Sequence, residues 1–148
     1  MTPADLESVS ALARRADPFG WTMRNLQDGL AAGYVMTAAL AGGQIVGYSV
    51  LMTVIDEAEL LEIAVDPDAQ GQGFGKALLA HTLTLARESA ARLVHLEVRV
   101  TNTRARKMYT SAGFSEVGRR RNYYPTADGR EDAILMRKTL EEPCKGEN

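Results

Sequence analysis

Two stretches of the chain put chemically useful groups where packing alone has little use for them. The first is Asp66-Pro67-Asp68-Ala69-Gln70-Gly71-Gln72-Gly73-Phe74-Gly75-Lys76, a glycine-rich run between an apolar segment and a helical pattern. Glycine tolerates positive φ and lets a ligand approach the backbone closely. The free amides at the start of a helix attract anions, and a diphosphate is a natural guest for such a cradle. The bland alternative is a glycine-rich turn. The second is Glu97, which interrupts the apolar run Leu93-Val94-His95-Leu96-Glu97-Val98. A carboxylate is poor packing material. Glu97 is then either a working group or an exposed alternate position on a half-buried strand.

Several other chemistries are excluded by spacing. The glycine run is not a Walker loop, since Lys76 is followed by Ala77 and the spacer is too short. Nor is it a dinucleotide fingerprint, because Lys76 stands where the third glycine belongs. His81, His95 and Cys144 have no metal-ligand spacing, so no metal is expected. No Gly-x-Ser-x-Gly elbow occurs.

The elements that must position these groups follow from periodicity and punctuation. Thr2-Pro3-Ala4-Asp5 opens a helix, with Leu6, Val9, Leu12 and Ala13 on one face, and Asp17-Pro18-Phe19-Gly20 closes it. A second helix is predicted from Trp21 to about Ala32, ended by Gly33. Strands are predicted over Tyr34–Leu40, Gln44–Val54 and Glu59–Val65, with turns at Gly42-Gly43 and Asp56-Glu57. Short turns between adjacent strands imply an antiparallel meander. A helix over Gly75–Ser89, a strand over Leu93–Val100 and a helix over Asn102–Ala112 come next, the last capped by Asn102 and ended by Gly113. Glu116–Asn122 reads as a strand weakened by its arginines. Tyr123–Arg130 reads as a loop from its proline and glycine, and Ala133–Met136 as the centre of a final strand. The order implies an α/β (α+β) layer fold with a mixed, mostly antiparallel sheet flanked by helices. One right-handed crossover from Leu60 to Val100 is expected. A ligand belongs at the carboxyl end of its first strand.

Composition agrees with this reading. At 148 residues the chain fits a single domain over 1–140, with a polar tail at 141–148. It is 45% apolar and 24% charged, the balance of a folded soluble protein. A net charge of -2 gives no support to nucleic-acid binding. No apolar run reaches the ~20 residues of a membrane span. The N-terminus carries Asp5 and Glu7 rather than a basic leader, and the one cysteine, Cys144, sits in the polar tail. A cytoplasmic location is expected, with neither a nucleic-acid nor a membrane partner.

At the glycine run the chain resembles a known family. Gln70-x-x-Gly73-x-Gly75 is similar to the acetyl-CoA pyrophosphate loop of the GCN5-related N-acetyltransferases, and Ile63-Ala64-Val65-Asp66-Pro67 to the strand that leads into it. Asn102, Ala105, Tyr109, Gly113 and Phe114 resemble that family's N-x-x-A-x-x-x-Y-x-x-x-G-F signature. The resemblance covers roughly Val35 to Met136, and it implies the acyl-CoA N-acyltransferase fold. Those proteins usually open with a strand, whereas here Pro3 arrives at once, so that strand is expected to be short or absent. A narrower resemblance, in Leu96-Glu97-Val98-Arg99 and in Arg120 to Ala133, is to the RimI-type branch, which acetylates the N-terminal alanine of a ribosomal protein.

That resemblance implies acetyl-CoA as cosubstrate and an N-terminal peptide of a ribosomal protein beginning with alanine as partner. It makes Glu97 the general base and Tyr109 the general acid for the departing thiolate. It assigns the cofactor to Ile63, Ala64 and Val65, to Gln70, Gly71, Gln72, Gly73, Phe74, Gly75 and Lys76, and to Asn102 with Tyr109. Tyr123, Tyr124 and Pro125 form the peptide wall. From pattern alone Tyr109 is equally an amphipathic core tyrosine, and Asn102 equally a helix cap. Arg119, Arg120 and Arg121 can hold CoA phosphate, pair with acids or lie solvated; Arg104, Arg106 and Lys107 are as open. Acetylation of a lysine or small-molecule amine on the same fold, and a non-catalytic acetyl-CoA-sensing module, are the alternative readings.

Overall fold

A computed structural model describes residues 1–140. The predicted tail at 141–148, with Cys144, lies outside the described residues. Four α-helices and six strands follow one another: α1 (Leu6–Ala16), α2 (Met23–Ala31), β1 (Val35–Ala41), β2 (Gln44–Val54), β3 (Glu57–Val65), α3 (Phe74–Glu88), β4 (Leu93–Arg99), α4 (Thr103–Ser111), β5 (Ser115–Thr126) and β6 (Gly129–Thr139). The strands form one sheet in the order β1-β2-β3-β4-β6-β5. Pairing is antiparallel in β1–β2, β4–β6 and β5–β6. Among the described residues no strand precedes α1; a short 3-10 turn, Pro3–Asp5, leads into it.

The chain divides into two compact units. One comprises Met1–Met52 with Leu60–Thr82. Its core gathers Leu6, Val9, Leu12 and Ala13 of α1, Leu26 of α2, Met36 of β1, and Tyr48 and Val50 of β2. The α1 residues are those predicted to share one helical face. Thr22 caps α2, its hydroxyl accepting the Asn25 amide at 3.1 Å. Gly47 lets β2 come close to what lies above it: a Cβ there would stand 2.9 Å from both the Ala64 carbonyl oxygen and Leu78 Cδ1.

The second unit holds Thr53–Glu59 and the described residues from Leu83 to Leu140. On β4 the alternation is clean: Val94, Leu96 and Val98 are buried, while His95, Glu97 and Arg99 occupy the half-buried face. Tyr109 and Phe114 are buried at α4 and its exit, ring edge to ring face at 5.8 Å.

One segment corrects the sequence reading. Tyr123–Arg130 is not a loop: β5 continues through Thr126, β6 begins at Gly129, and only Ala127-Asp128 turns. Tyr123, Tyr124 and Pro125 are therefore strand residues. Proline is tolerated because β5 is an edge strand, where a missing N–H costs no ladder bond on the open side. Boundaries elsewhere shift by one or two residues, as at β3, which starts at Glu57 after a turn at Ile55-Asp56.

Candidate active site

In the first unit the glycine run is built from the end of β3 to the first turn of α3. The Asp66 carboxylate accepts the Asp68 amide at 3.0 Å and so shapes the 3-10 turn Pro67–Ala69. It also pairs with Arg15 of α1. The Asp68 amide first, then Arg15, hold the Asp66 carboxyl below the usual carboxylate range. The Gln70 side-chain amide donates to the Val65 carbonyl at 3.2 Å, folding the run back over the strand end. Gly71 and Gly73 have φ of 82° and 90°, the left-handed region that glycine enters without steric cost. Nothing lies within 4 Å of where a Gly73 Cβ would be, so the cradle is open. The first amides of α3, from Phe74, Gly75 and Lys76, belong to the helix turn that has no intrahelical acceptors for them. An exposed run of glycines ending in a helix N-terminus can receive a diphosphate.

In the second unit, register explains which side chains meet. Glu97 pairs with Leu135 and Arg99 with Ala133, while Arg120 pairs with that same Ala133 and Tyr124 with Glu131. Directly paired residues project to the same side, so Glu97, Arg99, Glu131, Arg120 and Tyr124 share one sheet face. Ala133 between the two arginines is fully buried and small, which leaves room for long side chains from β4 and β5 to pass over β6.

Glu97 is only 18% exposed at its side chain, and Arg120 Nε stands 3.0 Å from Oε2. That oxygen is buried and accepts no aligned hydrogen bond among the described residues, so it keeps lone pairs for a proton. Desolvation raises the Glu97 pKa; Arg120 opposes the rise and Glu59 adds to it. A carboxylate held above its usual range is a better proton acceptor near neutrality.

The β5 strand is irregular between Arg120 and Tyr124, and Asn122 sits at φ 51°. In a regular strand Tyr123 and Tyr124 would face opposite ways. Here the Tyr123 ring meets the Arg120 guanidinium at 5.3 Å and the Tyr124 ring meets that of Arg99 at 4.6 Å. The two rings touch edge to face at 5.0 Å. The irregularity is pinned by the Asn122 amide donating to Asp132 at 2.9 Å and by Arg130, which donates to the Asn122 and Tyr123 carbonyls at 2.8 and 3.1 Å.

Asn102 is a helix cap, its side-chain oxygen accepting the Ala105 amide at 3.2 Å. Of the open arginines, Arg106 pairs with Glu116 at 2.6 Å, Arg119 with Asp132 at 3.4 Å and Arg120 with Glu97. The sequence reading does not single out Arg99 and Glu131 as site residues. The period-2 step from Glu97 to Arg99 is a usable signal; the Glu131 partner is not, since it depends on strand register.

Comparison with known proteins bears on most of the chain. The model of the Acetyltransferase (GNAT) family matches residues 5–114. A "[Ribosomal protein bS18]-alanine N-acetyltransferase" of Escherichia coli (strain K12) is 40% identical over 132 residues, 89% of each chain. The protein of that name from Haemophilus influenzae is 37% identical over 133 residues, covering 89% of this chain and 90% of its own. The crystal structure of the ribosomal-protein-S18-alanine N-acetyltransferase from Escherichia coli superposes with a TM-score of 0.91 at 36% identity, over 98% of this chain and 94% of that one.

Proposed function

The chain belongs to the Acetyltransferase (GNAT) family, and from that premise we propose that it transfers the acetyl group of acetyl-CoA to the N-terminal α-amine of a ribosomal protein that begins with alanine. The observation that carries the reading is the shared sheet face: a desolvated Glu97 paired with Arg120, on the face where Arg120 meets Tyr123 and Arg99 meets Tyr124 across a strand irregularity. The bS18-alanine N-acetyltransferases, similar along most of the chain, support it. A single N-acetyltransferase domain over 1–140, working in the cytoplasm, goes with this reading. Among the described residues no helix is long and apolar enough to cross a membrane.

Each part of the chain then has a role. Acetyl-CoA, when bound, supplies a thioester whose carbonyl carbon accepts the amine. Gln70, Gly71, Gln72, Gly73, Phe74, Gly75 and Lys76 hold its diphosphate with backbone amides and positive helix-end charge. Backbone groups of Ile63, Ala64 and Val65 hold the pantetheine arm as an added strand would be held, Asn102 is a further cofactor-binding residue, and the Val65 amide polarises the thioester carbonyl. Glu97 takes the proton of the amine, directly or through a water, as the C–N bond forms. Tyr109, whose phenol is an O–H donor, protonates the thiolate as the C–S bond breaks. Tyr123, Tyr124 and Pro125 hold the extended peptide. An α-amine, with a pKa of about 7.7–8.0 against about 10.4 for lysine, is easier to present neutral by roughly 3 kcal/mol.

Mass spectrometry on synthetic peptides tests this. A peptide beginning with alanine, incubated with acetyl-CoA, should gain one acetyl group on its α-amine. The same peptide with that amine blocked and a lysine further in should not. Equal rates on both would replace the reading with a lysine acetyltransferase; no acetylation of any amine, with acetyl-CoA bound, would leave a sensing module.

A further inference from the structure

We propose that Arg99 is a positioning residue for the acceptor peptide, holding Tyr124 and Pro125 in place, and that Glu131 holds Arg99. The inference rests on the assignment of Tyr124 and Pro125 to the peptide wall. It goes beyond it by naming what fixes the wall. Arg99 Nη1 donates to the Pro125 carbonyl at 2.8 Å, and the same guanidinium lies over the Tyr124 ring at 4.6 Å. Nη1 is also 3.6 Å from Glu131 Oε2, and both side chains are only 17% exposed. Glu131 is itself fixed from the start of α4: the Thr101 hydroxyl donates to Oε1 at 2.6 Å and the Thr101 amide at 3.3 Å. The Thr101 hydroxyl first, with Arg99 further down, keeps the Glu131 carboxyl below its ordinary range, so its charge persists throughout the neutral region.

The geometry explains why an arginine is needed. A planar guanidinium can stack on an aromatic face while its edge donates to a carbonyl and a carboxylate. Lysine offers a point charge and cannot do both. β5 is the sheet edge, so one flank of Tyr124 and Pro125 has no strand ladder to hold it. Arg99 supplies from β4, across β6, a restraint that the edge lacks. Because Arg99 stands two residues from Glu97 on the same face, the restraint also sets the wall relative to that carboxylate.

A double-mutant cycle read in peptide KM tests the inference, with peptides beginning with alanine as acceptor and acetyl-CoA as donor. Arg99→Met should raise peptide KM about tenfold or more, the size of a stacking contact plus one bond. It should leave kcat within about threefold and acetyl-CoA KM unchanged, because loss of uniform positioning moves KM first. Arg99→Lys should rescue only in part. Tyr124→Ala alone should raise peptide KM as well, and the double variant should be no worse than the larger single, since Arg99 acts through Tyr124. Multiplicative effects would overturn the inference, as would a normal KM in Arg99→Met. Should Arg99→Met not fold, the Glu131→Gln and Tyr124→Ala cycle decides in the same way, because a glutamine side chain at that position still accepts from Thr101. Failure of the underlying reading looks different: Tyr124→Ala itself would then leave peptide KM unmoved.

Discussion

Glu97 illustrates how one residue takes its properties from burial and two charged neighbours. Desolvation pushes its carboxyl up, Glu59 pushes the same way and Arg120 pulls it down. With Glu97 in its proposed role as general base, replacing it with glutamine removes the proton acceptor but keeps size and polarity, so kcat should fall by about 10²–10⁴ with acetyl-CoA affinity nearly intact. Arg120→Gln has a different signature. With the guanidinium gone, the Glu97 pKa rises further, and less of the enzyme carries the ionised base at a given pH. The acid limb of kcat/KM should move to higher pH, which a pH–rate series on both enzymes reads directly. A limb that stays in place would mean that the 3.0 Å contact does not bear on the working form of Glu97.

At the scale of elements, the segments most legible from sequence are those whose determinants are local. The turn chemistry of the glycine run, the α1 stripe and the β4 alternation all depend on residues within a few positions of one another. The Tyr123–Arg130 segment departs from its sequence reading because proline and glycine are breakers only by local rules: Pro125 sits in the edge strand β5, which admits it, and Gly129 is the first residue of β6. Neither the edge status of β5 nor its irregularity at Asn122 can be seen without knowing that β6 runs between β4 and β5. The Glu97 alternation is visible in the sequence, yet its meaning as half-buried face needs the register with β6. Gly47 belongs to this scale too. A Cβ would stand 2.9 Å from the Ala64 carbonyl, a backbone atom that cannot swing aside. Gly47→Ala should cost roughly 1–3 kcal/mol by overpacking. Ala64 lies in the stretch assigned to the pantetheine arm, so acetyl-CoA KM should rise while peptide KM changes less. Thermal melts and the two KM values check both parts.

For the molecule as a whole, the family likeness spans most of the chain, and the residues proposed for cofactor and peptide lie far apart in sequence, from Ile63 to Pro125. A motif can mark each segment; it cannot show which ionisable groups the fold buries beside it. Glu62 is such a group. Next to Ile63 on β3, its Oε2 accepts the Tyr48 hydroxyl at 3.1 Å and lies 3.4 Å from the Trp21 amide, which ties the α1–α2 connection to the strand. Burial dominates, and the Glu62 pKa rises from 4.5 to about 7 despite those donors. Between these values the unfolded chain has released the proton while the folded chain still holds it. The unfolded state then binds fewer protons, so stability falls as pH rises. The contribution of Glu62 is complete below pH 4.5, declines up to about pH 7 and is level above it. Glu62→Gln keeps an acceptor for Tyr48 and has no proton to lose. Its stability relative to the unmodified chain should therefore climb between pH 5 and pH 8, by an amount on the order of 3 kcal/mol. Urea unfolding of both proteins at a series of pH values measures the difference, and a gap that stays constant across that range would show that the carboxyl ionises equally in both states.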